Sequence, residues 1–223
     1  MESLRSFYRL YPVRKVGKGQ IILHQNDIPQ KIYAIKSGVI KITNLTSSGE
    51  EKLISFKITD DILPICWAFS ITNRSLFYYQ TYTDCEFYLV DKEDFSQQAA
   101  NDMSFAQGLL RRQVSAFVGN QLQVDALSKS RAIFKLLYIF RFLCLSYGKP
   151  LQEGFTKIQV PLTQQEIANL TGLTRETAAL ELNKIKNKKV IAWSQRYYIV
   201  NTKKLNAIID DEYNPGIVND RLG

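Results

Sequence analysis

The segment Thr163–Ile185, TQQEIANLTGLTRETAALELNKI, constrains this chain more than any other, because its spacing allows two short helices joined at a glycine. Thr163 and Glu166 stand where a capping box needs them: the threonine side chain takes a free N–H of the first turn, and the glutamate reaches back to the cap. Ile167, Ala168 and Leu170 then form an apolar face. Ala168 is small enough for a second helix to cross closely, and Gly172 supplies the positive φ that ends a helix. The turn is Thr171 to Thr174. Thr174 caps a second helix whose Ala178, Leu182 and Ile185 recur at i, i+4 and i+7 and face inward. Arg175, Glu176, Ala179, Leu180 and Asn183 are left largely outward, the layout of a helix-turn-helix that reads DNA, in which Arg and Glu can meet guanine and cytosine edges. An ordinary helical hairpin with a glycine in its loop gives the same pattern.

The residues C-terminal to the motif separate the two readings. Lys186-Asn187-Lys188-Lys189 precedes two β-rich runs, Val190-Ile191-Ala192-Trp193 and Tyr197-Tyr198-Ile199-Val200, around Ser194-Gln195-Arg196. Helix-turn-helix plus β-hairpin is a winged helix, with a basic helix end and an arginine in the wing turn to hold phosphates. The candidate base-reading residues are Arg175, Glu176, Ala179, Leu180 and Asn183. Thr163, Gln164 and Thr174 at the helix starts, with Lys184, Lys188 and Arg196, complete the candidate DNA-binding set.

Charge is divided in the same way. The chain carries a formal +8, yet residues 1–128 hold 14 Lys/Arg against 13 Asp/Glu, whereas residues 129–205 hold 14 against 4. A localised cationic region attracts the phosphate backbone through counterion release. For most single lysines here solvated surface is the better reading; as a group they favour nucleic acid over a membrane, since no long amphipathic basic helix or lipidation signal accompanies them.

At 223 residues and 45% hydrophobic content the chain can fill two cores. The strongest apolar stretch, Ala132 to Leu145, contains Lys135 and Arg141 and is too short and charged to span a bilayer. Met1 to Arg14 has no apolar core followed by a small-residue cleavage site, so the expected location is cytoplasmic, without membrane partners. Cys66, Cys85 and Cys144 are odd in number and far apart, which argues for reduced thiols rather than a disulfide framework or metal knuckle.

Upstream of Asp91 the pattern is short strands and turns: Ile21–Leu23, Lys31–Lys36, Gly38–Asn44, Glu51–Phe56, Tyr78–Thr83 and Glu86–Val90. Gly17 and Gly19, Asn26-Asp27, Ser37-Gly38 and Ser48-Gly49 punctuate them. A rolled antiparallel sheet of this kind, jelly-roll-like, is either a scaffold or a container for one small ligand. Trp67, Phe69, Phe77, Tyr78, Tyr79, Tyr82, Phe87 and Tyr88 make its centre aromatic. These rings are either core or lining, and Trp67, Phe69, Tyr78 and Tyr82, with Phe117, are the candidate pocket residues.

Asp102 to Leu127 reads as one long helix. Met103, Leu110, Val114, Phe117, Gln121 and Val124 fall on alternating spacings of three and four, a heptad-like seam. Leu109, Ala116 and Leu122 form a second face able to cover the sheet. The seam suits a homodimer, with Leu110, Val114, Phe117, Gln121 and Val124 at its interface; a monomer with the helix buried is the other reading. The expected fold is therefore α+β: a β-roll over 1–101, a long helix over 102–128, a winged helix over 129–208 and a tail from 209.

That order resembles the Crp/Fnr family of bacterial transcription regulators over about residues 15–205, on Gly19 through Asp27, Ile32-Tyr33 to Ser37-Gly38, Gly49-Glu50, Arg131 to Leu137 and above all Thr163 to Ile191. The resemblance implies a β-roll sensor, a dimerising helix, a major-groove reading helix, double-stranded DNA as partner and RNA polymerase as a partner within reach. The departures concern the effector. Members that bind cyclic AMP hold it with a Gly-Asp-x-x-Gly-Glu turn and a following Arg-Ser pair. Here the turn reads Asp60-Asp61-Ile62-Leu63-Pro64-Ile65, lacking both glycines and the glutamate, with an extra carboxylate to repel phosphate. Arg74-Ser75 stands one position out of register, and Ala116-Phe117 replace the hydroxyls expected for the base. An iron–sulfur cluster needs four thiolates, more than the chain has, and His24 reads as a surface or turn histidine rather than a haem ligand. No cofactor is implied. In the reading helix, Leu180 aligns with the family's later arginine and Glu181 with a core aliphatic, so the operator is expected to be a related palindrome altered at one base pair.

The reading is a dimeric, sequence-specific DNA-binding regulator whose small effector, if it has one, is not cyclic AMP. An effector-independent regulator set by abundance or a partner protein is the alternative, and a nucleotide-binding accessory module is the third class. An enzyme on nucleic acid would need clustered carboxylates or an activated nucleophile; neither of the acidic groups Asp60-Asp61 and Asp210-Asp211-Glu212 makes a catalytic constellation.

Overall fold

The computed structural model describes residues 2–45, 49, 51–152, 154–194 and 196–213. The expected turn positions Ser48, Glu50 and Gln195 and the tail residues 214–223 lie outside them. The chain forms two compact units, residues 1–114 and 115–223.

The first unit opens with α1 (Glu2–Tyr8), followed by β1 (Val13–Val16), β2 (Ile21–Leu23), β3 (Ile32–Ser37), β4 (Ile40–Leu45), β5 (Glu51–Lys57) and β6 (Ile62–Leu63). The short α2 (Ile65–Ala68), β7 (Tyr78–Thr81), β8 (Cys85–Val90) and α3 (Lys92–Asn101) lead into α4 (Met103–Ser128). The strands build two antiparallel four-stranded sheets, ordered β1-β8-β3-β6 and β2-β7-β4-β5. Period-two alternation sends alternate apolar residues of the strands into two different cores. Ile35, Ile40, Ile42, Leu63, Tyr79, Cys85 and Phe87 fill the space between the sheets, with Tyr33 and Phe77 packed against them. The neighbouring positions Ile32, Ala34 and Val90 face the other way and meet Leu4, Phe7 and Tyr8 of α1, Phe95 of α3, and Phe105 and Leu109 of α4.

The turn at Gly38 joins β3 to β4 at φ +97, and a Cβ there would stand 2.5 Å from the Asp84 carbonyl and from Cys85 Sγ. Both backbone angle and space demand glycine at this corner.

The second unit contains the rest of α4, then α5 (Ala132–Tyr147), β9 (Gly148–Gln152), β10 (Phe155–Ile158), α6 (Gln164–Thr171), α7 (Arg175–Asn187), β11 (Ile191–Ser194), β12 (Tyr197–Asn201) and α8 (Thr202–Tyr213). Its sheet runs β11-β12-β10-β9. The apolar stretch from Ala132 is the central helix α5, burying Leu136, Leu137, Ile139, Phe140, Phe142 and Leu143. No helix among the described residues is long and apolar enough to cross a membrane.

Three expectations need correction. Trp67 and Phe69, expected among the rings at the centre of the sheet, lie outside its strands: Trp67 is in α2 and Phe69 comes directly after it, because this apolar run carries no alternation and turns back at once. The tail expected from 209 begins inside α8, where Leu205 and Ile209, one helical turn apart, are buried and draw Asp210-Asp211-Glu212 into the helix. The unit boundary falls within the long helix, since Phe105 and Leu109 belong to the first core while Gly119 lies against Ser146 and Phe142 in the second unit.

Tyr198 illustrates the second core. It is almost fully buried, edge-on to Phe140 at 5.2 Å, and its hydroxyl has no hydrogen-bond partner. Burial, aided by the Glu166 charge, pushes the phenol from its ordinary 10 up to about 12. Because the neutral form is the folded one, this stabilisation is complete below pH 10 and is lost as pH rises through about 12. Circular-dichroism melts from neutral to alkaline pH should show that fall, and Tyr198→Phe should reduce it; an equal fall in the variant would assign it elsewhere.

Candidate nucleic-acid interface and sensor turn

Each end of the two-helix motif is set by the residue its sequence indicated. Thr163 Oγ1 accepts the Glu166 amide at 3.2 Å, and the Glu166 carboxylate accepts the Thr163 amide at 2.6 Å and also contacts the Thr163 hydroxyl, completing the capping box. At the other end of α6, Gly172 sits at φ +64 and its amide bonds the Ala168 carbonyl. The buried Thr171 hydroxyl donates to the Ile167 and Ala168 carbonyls at 2.8 and 3.0 Å. Thr174 Oγ1 then accepts the Thr177 amide at 3.2 Å and starts α7. Thr163→Ala removes the capping box and is expected to cost the second unit about 1–2 kcal/mol, measured by urea denaturation; Thr163→Ser should retain most of the stability.

Ala178, Leu182 and Ile185 are buried, so the opposite face of α7 is turned outward. Arg175, Glu176, Leu180 and Asn183 are exposed, Leu180 at 65%, while Ala179 is half-buried between the two faces. Gln164 and Thr163 are half-buried at the start of α6, and Thr174 is exposed.

Cations surround this face. Lys184, Lys188 and Arg196 are exposed; Arg196 holds the wing turn at φ +70, and its carbonyl accepts the Leu162 amide at 2.9 Å, tying the wing to the segment leading into α6. Lys184 pairs with Glu181 at 2.5 Å. Glu181 was expected at a core position, and it is largely buried, its second carboxylate oxygen enclosed without a hydrogen-bond partner. Its exposed lysine neighbour is what makes the position tolerable.

The sensor turn has no anion cradle. Asp61 is 5% exposed, accepting the Ile58 amide at 2.9 Å through one oxygen and Arg112 Nε of α4 at 2.7 Å through the other. Asp60, at φ +73, takes both a 2.9 Å and a 2.6 Å bond from Arg5 of α1. Arg74 spends its guanidinium on the Asn26 carbonyl at 2.9 Å, and the buried Ser75 donates to the Phe77 carbonyl at 2.7 Å. Both members of the Arg-Ser pair are thus engaged within the chain. Arg112 carried no signal in the sequence, because only folding brings α4 to Asp61.

The candidate pocket rings are dispersed. Tyr78 contacts His24 edge-on at 5.6 Å, Tyr82 meets Phe56 at 5.3 Å, and Lys92 lies over the Trp67 ring at 4.6 Å. Phe117 is exposed on α4. Of the five, Phe69 lines the apolar cavity between α2, α3 and α4, and the other four are not part of that lining. Among the described residues no group of three His, Cys, Asp or Glu could hold a metal ion. Along α4 the expected seam residues Leu110, Val114, Phe117, Gln121 and Val124 are all exposed, whereas Leu109 is buried and Ala116 and Leu122 half-buried.

Comparison with known proteins agrees with this architecture. Residues 13–102 match the cyclic nucleotide-binding domain family, and residues 139–208 match the Crp-like helix-turn-helix domain family. The chain is 27% identical over 198 residues to the regulatory protein HlyX of Actinobacillus pleuropneumoniae, covering 84% of this chain and 77% of that one. It is 27% identical over 200 residues to the anaerobic regulatory protein of Haemophilus influenzae, covering 88% and 75%. Among solved structures, FixK2 from Bradyrhizobium japonicum shares the fold, with a TM-score of 0.70 at 15% identity over 88% of this chain and 96% of that one.

Proposed function

Because the chain belongs to the Crp/Fnr family, whose members are DNA-binding transcription regulators and not enzymes, we propose that it acts as a homodimer paired through α4 on a palindromic operator. The observation that carries this reading is the outward face of α7, where Arg175, Glu176, Leu180 and Asn183 stand exposed on a helix whose other face is core, flanked by Lys188 and Arg196. A two-fold protein presents two such helices to successive major grooves, so operator symmetry mirrors protein symmetry. The exposed seam of α4 supports the pairing. RNA polymerase is a protein partner open to it once bound, and the cytoplasm is where such a protein meets its DNA.

Arg175 and Glu176 read guanine and cytosine edges, while Leu180 meets a thymine methyl where the family's usual pattern places an arginine. Lys184, Lys188 and Arg196, with the capped starts of α6 and α7 at Thr163, Gln164 and Thr174, hold phosphates. Cyclic AMP is not the effector, since the turn that would meet its phosphate offers the Asp61 and Asp60 carboxylates and an already engaged Arg74.

Selection of bound duplexes from a random pool, with titration of the winners over a range of salt, tests the reading. The expected result is a palindrome altered at the Leu180 position, with a log–log salt slope of about −5 or steeper, corresponding to six or more phosphates. Recovery of no duplex with salt-sensitive affinity would end it.

A further inference from the structure

We propose that the cavity between α2, α3 and α4 is a binding site for an uncharged, largely apolar small molecule, and that this, rather than the space between the sheets, is where an effector enters. The inference rests on the DNA-binding reading only in calling the occupant an effector; the site itself is a property of the first unit. The cavity holds about 530 Å³, within the range of about 300–1,000 Å³ usual for small-molecule sites. Ile65 and Phe69 form one wall, and Ala106 and Leu109 of α4 form another. Cys66 and Gln113 are the lining residues that carry a polar or thiol group, and no charged residue lines it among the described residues. A charged ligand would lose its hydration here without a counter-ion, whereas an apolar body with one hydrogen-bonding group would be satisfied. The space between the sheets, by contrast, is filled by Phe87, Tyr79 and their aliphatic neighbours.

Polar contacts outside the cavity fix the ends of the elements around it. Asp102, at the junction of α3 and α4, accepts the Phe105 amide at 3.0 Å, the Gln98 amide group at 2.8 Å and the Ser3 hydroxyl at 3.2 Å. One turn beyond Leu109, Arg112 is anchored to Asp61. An occupant therefore meets a preformed pocket. Two further lining residues, Ile71 and Leu110, are 74% and 63% exposed. Leu110 also belongs to the α4 seam, so an occupant touching it bears directly on the helix proposed to pair two copies, and its binding shifts a two-state dimer through that contact.

The probe is N-phenyl-1-naphthylamine, an uncharged aromatic amine whose fluorescence rises in apolar surroundings, titrated into the full-length protein. Saturable binding is expected, weakened at least tenfold by Ala106→Trp, which fills the cavity. As a second measurement on the unaltered protein, N-ethylmaleimide labelling of Cys66, read by peptide mass spectrometry, should slow at least fivefold with probe present while Cys144 labelling is unchanged. Enhancement that does not saturate, or undiminished binding by a folded Ala106→Trp protein, would overturn the proposal. So would a Cys66 that is protected in the dimer without probe and reacts only on dilution to monomer, since a second copy would then fill the space. None of these readouts involves DNA, so their failure is distinct from failure of the DNA-binding reading.

Discussion

Arg175→Ala is expected to lower affinity for the selected operator by about 100-fold or more at constant salt. A well-made bidentate contact between a side chain and a base edge discriminates by about 1–3 kcal/mol, and a symmetric dimer loses that contact in both half-sites. Arg175 is exposed at the first position of α7, and Thr174, whose side chain caps the helix, is untouched by the change. The helix should therefore survive. Fluorescence anisotropy on the selected duplex, with urea denaturation as a control, separates lost recognition from lost structure. Lys188→Ala makes the informative comparison: a phosphate contact should weaken all duplexes alike and make the salt slope shallower by about one per half-site, without altering the preferred sequence. Equal effects of Arg175→Ala on selected and scrambled duplexes would show that Arg175 touches the backbone and not a base.

Asp61→Ala is expected to destabilise the first unit by about 3 kcal/mol, the largest effect foreseen on the fold. Removing one partner of a buried ion pair leaves the other's charge in a poor solvent, and here the Ile58 amide loses its acceptor as well. Arg112→Met should destabilise the unit as well, because the Asp61 carboxylate, less exposed than the guanidinium, keeps the Ile58 amide but loses its cation. Urea denaturation of both variants measures the losses. A loss under about 1 kcal/mol for Asp61→Ala would show that the pair is solvated in solution.

Much of the DNA-facing half was legible in the sequence because its signals are local. A capping box spans four residues, a glycine C-cap is set by its own φ, and the inward row Ala178, Leu182, Ile185 comes from helical period alone. Strands with a clear turn on either side, such as Ile32–Ser37 and Ile40–Leu45, were equally readable. Elements whose stability comes from distant partners were not. The pair Ile62–Leu63 is a strand only because β3 supplies its hydrogen bonds, and α1 is ordered by Phe105, Leu109 and the Arg5–Asp60 pair, all remote in sequence. The aromatic run Trp67 to Tyr88 shows the same limit: composition marks it as apolar, but which rings face a cavity depends on where α2 turns.

The sequence by itself determined the fold class, the helix-turn-helix with its caps, the outward set on α7 and the concentration of positive charge beside it, since each is encoded in spacings of a few residues. Only the tertiary structure decided what becomes of the sensor turn. Nothing in the order of residues announces that Asp61 will meet Arg112, that Arg74 will be spent on Asn26, or that an apolar hollow will open between α2, α3 and α4. Such pairings depend on which surfaces meet when helices pack on a sheet, and that is set by the burial of whole faces rather than by any one residue's neighbours in the chain.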